Sequence, residues 1–345
     1  MLTVFSIEQN EQWDRVIRSF SNYDTYWLSG YVKAFQCHGD GDPLLFYAES
    51  GGTRGMNVVM KRDIANCKHF SDRLRSGELY DFATPYGYGG WVIEGENSNS
   101  IFAEYFDWCG KNNIVSEFVR FHPVVKNHIV CSGGYDVIPL GEVVTMDISS
   151  PEIIWENITS KNRNVIRKAV KNGVKIYNGR YPEIYQKFRQ IYDSTMDRDN
   201  ADPYYYFRDE FYESITEDLS ENAQIFYAQI PDGTVIAASI MLAANGRMNY
   251  HLSGSLREYS SLAATNLLLY KAALWGCANG CKTLYLGGGL GSGEDSLFKF
   301  KRAFYKGELD RFYIGRKVID QEKYDALIGL RGDIPQSGFF PKYRA

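Results

Sequence analysis

The sequence predicts a mixed α/β fold, built as two domains or one large domain. The chain has 345 residues, which is more than one hydrophobic core usually organises. Hydrophobic residues make up 44% of it and aromatic residues 15%, enough to pack such cores. The second half shows the predicted order β-α-α-β-β-β-α-β-α-β, which mixes strands and helices within one domain.

The first half gives a more irregular pattern. Apolar periodicity predicts a helix near Trp27 to Cys37 and strands near Leu44–Ala48 and Met56–Met60. A helix near Ser100–Lys111 and a strand in "SEFVRFHP" that ends at Pro123 follow. Between them, Tyr80 to Gly95 reads "YDFATPYGYGGWVIEG", whose glycines and proline predict a loop.

A domain boundary is predicted near Asp147, which gives domains 1–147 and 148–345. The stretch "SSPEIIWENI" has a serine cap, a proline at the first helical position and a glutamate in the first turn. This helix continues, after a break, through "TSKNRNVIRKAVKNG" and ends at Gly173.

The elements of the second half follow in a clear order. Strands and helices alternate with turn signals, among them an "NG" hairpin turn. We predict strands at Val174–Asn178, Ala223–Ile230, Val235–Ala243 and Arg247–Gly254, helices at Pro182–Met196, Phe207–Leu219 and Leu262–Ala278, then strand "KTLYL", a helix after "GGGLGSG" and a strand near Leu309–Ile319.

Charge and cysteine content exclude several classes of protein. The net charge is −4, so no overall field attracts nucleic acid or an anionic membrane. The six cysteines are scattered without a CxxC pair, which favours core thiols over a metal site or disulfide scaffold. Neither a signal peptide nor an apolar stretch long enough for a membrane span is visible, so we expect a soluble cytoplasmic protein.

One local basic patch stands out on the helix that is predicted to end at Gly173 and just beyond it. Its cations occur without an acid among them: Lys161, Arg163, Arg167, Lys168, Lys171 and Lys175. Such a stripe suits phosphates or an RNA backbone, and it is equally compatible with an ordinary solvated helix face.

Near the C-terminus, "DSLFKFKRAFYKG" places a lysine in an apolar stripe. On a helix, Lys301 shares one face with Leu297, Phe300 and Phe304, whereas Lys299 and Arg302 point the other way. A lysine aimed at a core is costly unless its charge is paired or its pKa falls. Its stem can instead pack on Phe304 while the ammonium reaches water.

Several stretches resemble those of a known family. They are "SKNRNVIRKAVKNGVKI", "YYYFRDEFY", "YHLSGS", "NLLLYKAALWGCANGCKTLYLGGG" and "LFKFKRAF", and they cover most of residues 155–307. The sequence resembles the FemABX peptidoglycan aminoacyltransferases and FemAB-like acetyltransferases, which have the GNAT N-acyltransferase fold. The resemblance implies two GNAT-like domains, the first a degenerate copy that matches loosely through "YDFATPYGYGG" and "FVRFHP".

The resemblance also implies roles for individual residues. Lys301 matches the lysine of the family's "FK" motif, which stabilises charge that develops near the acyl donor. Arg163 matches an arginine that contacts phosphates of the acceptor. Tyr206, preferred here over Tyr205, matches a tyrosine of the acceptor site, and Asp81 and Tyr86 match an acceptor-binding pair. His251, alone in a strand, is assigned no catalytic role.

The implied activity is acyl transfer to an amine, without a bound cofactor or metal. The co-substrate is aminoacyl-tRNA, which would contact the Lys161–Lys175 helix, or acyl-CoA. The loop "SLREYSSLAATN" has Arg257 but lacks the glycines that usually hold the CoA pyrophosphate. We expect a nucleotide- or lipid-linked cell-envelope precursor as acceptor. Alternatives are an acyl-CoA-dependent N-acetyltransferase acting on a nucleotide-linked amino sugar, and a pseudo-enzyme that only binds a sugar nucleotide or RNA.

Overall fold

The chain divides into two units, each with its own mixed β-sheet. A computed structural model describes residues 1–332, 334–335 and 338–345. Unit 1 consists of residues 1–140 and 312–345, and unit 2 of residues 141–311. Among the described helices, none has both the length and the apolar character that crossing a bilayer would require.

Unit 1 begins with the N-terminal strand and ends with the C-terminal helix. Its elements from the first 140 residues are β1 (Leu2–Ser6), α1 (Asn10–Arg18), α2 (Ser29–His38), β2 (Asp42–Ser50), β3 (Thr53–Asp63), β4 (Tyr80–Ala83), β5 (Val92–Glu94), α3 (Ser98–Lys111), β6 (Ile114–Arg120) and α4 (His128–Cys131). Strand β7 (Asp136–Asp147) then carries the chain into unit 2.

Unit 2 contains the remaining elements apart from the C-terminal ones. They are α5 (Pro151–Asn157), α6 (Ser160–Lys171), β8 (Lys175–Gly179), α7 (Pro182–Arg198), α8 (Asp209–Glu217), β9 (Ala223–Gln229), β10 (Val235–Ala244), β11 (Arg247–Ser255), α9 (Ala264–Ala278), β12 (Thr283–Gly287) and α10 (Ser296–Arg302). Strand β13 (Asp310–Val318) returns the chain to unit 1, where α11 (Gln321–Arg331) follows.

The same order of elements occurs twice along the chain. From β8 to β13 it is β-α-α-β-β-β-α-β-α-β, as predicted, and from β1 to β7 it is identical apart from the added short strand β5. Strand order is β1-β2-β3-β4-β6-β13 in unit 1 and β7-β12-β11-β10-β9-β8 in unit 2. Each sheet contains one parallel pair joined by a helix, β4 with β6 and β11 with β12.

The division differs from the predicted domains 1–147 and 148–345 at the C-terminus. Strand β13 pairs antiparallel with β6, from Ile314↔Arg120 to Val318↔Ser116. On α11, Tyr324 and Leu327 are buried in a cluster with residues of unit 1 such as Phe70. This pairing and burial attach residues 312–345 to the first unit.

Two predicted elements differ in detail. The segment predicted as a loop from Tyr80 to Gly95 contains β4 and β5, so that residues 84–91 form the actual connection. Helix α9, predicted to begin at Leu262, begins at Ala264 and buries Leu267, Leu268 and Leu269 in succession. Three consecutive buried residues cannot share one face, so α9 is covered on more than one side.

Candidate active site

Lys301 is buried at the end of the short helix α10. Its side chain is only 9% exposed, and Phe298 and Phe304 are buried beside it. The helix begins where the Asp295 carboxylate accepts a hydrogen bond from the backbone N–H of Phe298, at 2.8 Å. The residues that pack this segment against the unit 2 core are Phe298, Phe300, Phe304 and Tyr305.

The predicted orientation of this helix needs correction. Leu297 and Phe300 are half-buried, whereas Phe298 is buried and lies one turn before Lys301. Arg302 was expected to face water, but it donates to the carbonyl oxygen of Gly307 at 2.8 Å. The predicted face assumed that the helix extended through Phe304, whereas α10 ends at Arg302 and the chain turns there.

The Lys301 ammonium holds the glycine-rich loop that joins β12 to α10. Its Nζ donates to the carbonyl oxygen of Gly288 at 2.7 Å, which is its single hydrogen bond within the described residues. Gly287 has φ +81°, and a Cβ there would lie 3.3 Å from Nζ. Because a lysine has three N–H donors, two remain for a ligand.

Asp295 holds the same loop from the other side. Its second carboxylate oxygen accepts from the backbone N–H of Leu290 at 3.0 Å. A Cβ on Gly289 would lie 2.3 Å from the Asp295 carboxylate and 2.2 Å from the Gly293 carbonyl oxygen, so only glycine fits. The loop is therefore a fixed turn, held by hydrogen bonds to the side chains of Lys301 and Asp295.

Burial changes how readily Lys301 gives up its proton. Desolvation lowers the pKa of Lys301 to about 8, although the nearby Asp295 carboxylate raises it. The pKa of Asp295 is lowered, chiefly because it accepts backbone hydrogen bonds from Phe298 and Leu290. At neutral pH the amine is mostly a cation, and a small rise in pH neutralises it.

The site lies where the parallel pair of unit 2 separates. Strands β11 and β12 pair only from Arg247↔Thr283 to Asn249↔Tyr285. In the described part of the chain, residues 250–255 of β11 continue without a register partner in β12. The glycine-rich loop follows directly after β12, so Lys301 stands next to this opening.

His251 lies on β11 just past the last paired residue. The register with β10 shifts between Ile240 and Met241, which makes His251 the extra residue of a β-bulge. Burial lowers the pKa of His251 to about 3, so the ring is neutral at pH 7.

Helix α6, which carries Arg163, contacts the end of α10 through its first turn. The carbonyl oxygen of Ala303 accepts from the backbone N–H and the hydroxyl of Thr159, at 3.0 and 3.1 Å, and from Asn162 Nδ2 at 3.4 Å. Asn162 in turn accepts from Asn266 Nδ2 on α9 at 2.8 Å. Thus α6, α9 and α10 meet beside Lys301.

Arg163 itself folds back toward α5. Its guanidinium donates to the Trp155 carbonyl oxygen at 3.2 Å and lies 5.9 Å from the Trp155 ring. Arg167 lies 5.2 Å from the same ring. Arg163 is half-buried, the other five cations of the stripe are exposed, and none of the six pairs with a carboxylate among the described residues.

Tyr206 lies in the connection between α7 and α8, apart from Lys301. Its hydroxyl donates to the Asp197 carboxylate at 2.8 Å, and this bond raises the pKa of Tyr206. Phe207 is buried, whereas Tyr204, Tyr205 and Tyr206 are half-buried, so the aromatic run does divide between core and surface. Its hydrogen-bond partner Asp197 lies on α7, not on α10.

Asp81 and Tyr86 both belong to unit 1. The fully buried Asp81 carboxylate accepts from Arg62 Nε at 2.8 Å, the Tyr343 hydroxyl at 2.9 Å and Arg344. These partners would have to move before Asp81 could bind an ammonium. Tyr86 is half-buried, and its ring lies 5.6 Å from that of Phe35. The predicted roles of both residues stay predictions.

The loop before α9 has its own conformation. Residues 257–262 form a single 3₁₀ segment, and Ala263 follows with φ +54°. A left-handed conformation favours glycine, yet alanine occupies this position. The backbone therefore adopts a tight turn at the start of α9 without the glycines expected of a CoA-binding loop.

Comparisons with known proteins place the fold. Residues 160–302 match the model of the acetyltransferase (GNAT) domain family. FemX is similar over 94% of this chain and 99% of its own, with TM-score 0.70 and 13% identity. L-PGS from Bacillus licheniformis covers 93% and 96%, with TM-score 0.58 and 14% identity.

A third similar structure is the C-terminal domain of a protein named as a lysylphosphatidylglycerol synthetase, from Agrobacterium fabrum. It covers 90% of this chain and 91% of its own, with TM-score 0.56 and 13% identity. A search of curated protein sequences found no match.

The fold and the domain match together identify a GNAT-type domain within this chain. The matched residues lie within unit 2 and include Lys301. The whole chain has the fold of FemX, with a second copy of the same element order. The predicted resemblance to the FemABX-like GNAT proteins, the predicted fold class and the acyltransferase class are confirmed.

Proposed function

We propose that the chain transfers an aminoacyl or acyl group to an amine on a cell-envelope precursor. The observation that carries the chemistry is the buried Lys301 ammonium, which uses one donor on Gly288 and keeps two. It stands beside the opening between β11 and β12 in a GNAT domain. The envelope as destination rests on the likeness to FemX and to a lysylphosphatidylglycerol synthetase.

The proposed chemistry uses Lys301 as an electrostatic stabiliser. The acceptor amine attacks the carbonyl carbon of the donor ester or thioester, and the electron pair of the C=O bond moves to oxygen. The Lys301 N–H groups donate to this oxyanion, which is worth more in a desolvated site than in water. The oxyanion then re-forms the C=O bond as the C–O or C–S bond breaks, the leaving group takes up the proton that the attacking nitrogen releases, and the amide remains.

Aminoacyl-tRNA is the donor that the basic helix favours. The exposed cations between Lys161 and Lys175 lack carboxylate partners among the described residues. The Trp155 ring lies beside Arg163 and Arg167 and adds an aromatic surface. Cations interleaved with an aromatic ring suit a nucleic-acid backbone and its bases. Acyl-CoA is the alternative, with a nucleotide-linked amino sugar as acceptor, and a non-catalytic binding protein is the third.

Thermal stabilisation distinguishes these donors. The protein is heated with acetyl-CoA and, separately, with charged tRNA, alongside the variant Arg167→Gln. Stabilisation by charged tRNA that weakens with salt and in Arg167→Gln supports the proposal. Stabilisation by micromolar acetyl-CoA, with no response to tRNA, would reject the tRNA donor in favour of acyl-CoA. Arg163→Ala, if the predicted phosphate role is correct, raises the KM for the acceptor.

A further inference from the structure

Arg120 in unit 1 presents an unused guanidinium edge. It is the last residue of β6, which occupies in the first element series the position that β12 occupies in the second. Its Nε donates to the Gly87 carbonyl oxygen at 2.9 Å. Its two terminal nitrogens have no hydrogen bond or ion pair within the described part of the chain, and the side chain is half-buried.

Three other arginines of unit 1 are paired with carboxylates. Arg54 lies 4.5 Å from the Phe20 ring and donates to the Glu94 carboxylate at 2.6 and 2.9 Å. Arg62 and Arg344 both donate to Asp81. Arg120 has aromatic neighbours like Arg54, but it lacks their carboxylate among the described residues.

The surroundings hold the Arg120 side chain in a defined direction. Its central carbon lies 4.9 Å from the Phe312 ring and 5.8 Å from the Tyr88 ring. These two rings meet edge to face at 5.6 Å. Two ring contacts and a hydrogen bond at Nε orient the side chain, and the two terminal nitrogens keep their donors within the described residues.

The loop beneath Arg120 is fixed before any ligand binds. Gly87 has φ +100°, and a Cβ there would lie 2.6 Å from the Tyr26 ring, so the backbone approaches closely. Side chains hold its carbonyl oxygens in turn: Tyr31 donates to Tyr86, Arg120 to Gly87, Asn127 to Gly89 and Trp91, and Trp27 to Gly90.

We propose that Arg120 binds an oxyanion, a carboxylate or a phosphate, through its two terminal nitrogens. Two parallel N–H···O bonds match the spacing of the oxygens in either group. A preorganised loop lowers the entropy that binding would otherwise cost. Assigning this oxyanion to the acyl acceptor rests on the proposed function; the existence of the site does not.

Nuclear magnetic resonance of the arginine Nε–Hε groups tests the site without turnover. The ¹⁵N-labelled protein is titrated with inorganic phosphate and, separately, with succinate, to about 100 mM, since a single charged contact pair gives millimolar affinity. Arg120→Lys assigns the Arg120 signal, and Arg54→Gln assigns the matched control. A saturable shift of the Arg120 signal with the Arg54 signal unmoved is expected.

The two probes separate the sources of the oxyanion. A response to phosphate alone identifies a phosphate site, and a response to succinate alone identifies a carboxylate site. No saturable shift with either probe, or equal shifts of the Arg120 and Arg54 signals, would overturn the proposal. Since the readout needs neither donor nor turnover, its failure is distinguishable from a failure of the acyl-transfer assignment.

Discussion

Lys301 is the residue whose environment least resembles that of a surface lysine. A surface lysine keeps its stem on apolar neighbours and its ammonium in water. Here the ammonium is buried and fastened to the Gly288 carbonyl oxygen. A buried cation is costly, and two donors kept for a transient oxyanion would explain why the cost persists.

The pKa of Lys301 predicts how catalysis depends on pH. With a pKa of about 8 in the folded protein, the cation disappears as pH rises through that value. If the cation stabilises the transition state, kcat/KM, which reports the pKa values of the free enzyme, falls above that pH in the wild type. In Lys301→Met, which keeps most of the volume, kcat falls by roughly 100-fold at neutral pH, in the range seen for lost oxyanion donors. A wild-type pH–rate profile without this descending limb contradicts the assignment.

The same pKa predicts how stability depends on pH. Its value is lower in the folded protein than the ordinary 10.5, so the folded state binds fewer protons between about 8 and 10.5. The contribution of Lys301 to stability therefore rises with pH across this window in the wild type and is absent in Lys301→Met. The difference is on the order of 3 kcal/mol, from 1.36 kcal/mol per pH unit. Urea unfolding of both proteins at the two ends of the window measures it.

At the scale of elements, Asp295 joins α10 to the glycine-rich loop, because its carboxylate accepts hydrogen bonds from both. Replacing Asp295 by alanine removes both the cap and the charge, and should lower stability by roughly 1 kcal/mol or more. Asparagine keeps the capping oxygen, so Asp295→Asn should retain most of that stability. Because the Asp295 charge raises the pKa of Lys301, both variants should move the descending limb of kcat/KM to lower pH. An unmoved limb in both would show that the two residues are not electrostatically connected.

The glycine loop offers a second, steric test. Gly289→Ala places a Cβ 2.2 Å from the Gly293 carbonyl oxygen, so the loop must shift and release Lys301 from Gly288. Gly293→Ala meets only the Leu290 carbonyl oxygen, at 3.4 Å, which is ordinary contact. We expect Gly289→Ala to lose roughly 2 kcal/mol and most of its activity, with Gly293→Ala close to wild type. Thermal unfolding and initial rates of the two variants measure these effects. Equal stability and equal activity of the two variants would contradict the steric explanation.

Part of this site could be predicted from the sequence. Helical spacing singled out Lys301, and the glycine run marked a turn. Spacing did not predict where α10 ends, so the packed positions were displaced toward Leu297 and Phe300. The contacts from Thr159 and Asn162 to Ala303 join residues about 140 apart in sequence, and no local pattern encodes them.

For the whole molecule, the main feature is the order of strands and helices that occurs twice along the chain. Local periodicity predicted the second series in full, because its strands and helices are separated by clear turns. In the first series β1, α1, α4 and β7 were not predicted, and the residues of β4 and β5 were predicted as one loop. Local patterns could not indicate which sheet the last strand of each series joins. Strand β7 pairs with β12, and β13 pairs with β6.

Glu117 makes unit 1 sensitive to pH. Its buried carboxylate accepts from the Tyr135 and Tyr105 hydroxyls at 2.8 and 3.0 Å and from Asn57 Nδ2 at 3.1 Å. Burial raises the pKa of Glu117 to about 7, although these hydrogen bonds lower it.

This pKa lies above the ordinary 4.5, so the folded state binds more protons between the two values. Stability should fall as pH rises through this window, by on the order of 3 kcal/mol. Glu117→Gln should lose this slope. Urea unfolding of both proteins at pH values below and above the window tests it, and identical slopes would contradict the expected titration.

The most direct test of the central claim is amide formation followed by mass spectrometry. Wild type and Lys301→Met are incubated with charged tRNA or acetyl-CoA and a nucleotide-linked muropeptide that carries a free amine. We predict that the wild type adds an aminoacyl or acetyl mass to that amine and that Lys301→Met, folded as judged by thermal unfolding, does so roughly 100-fold more slowly. Equal rates in the two proteins, or binding of donor and acceptor without any transfer, would contradict the account.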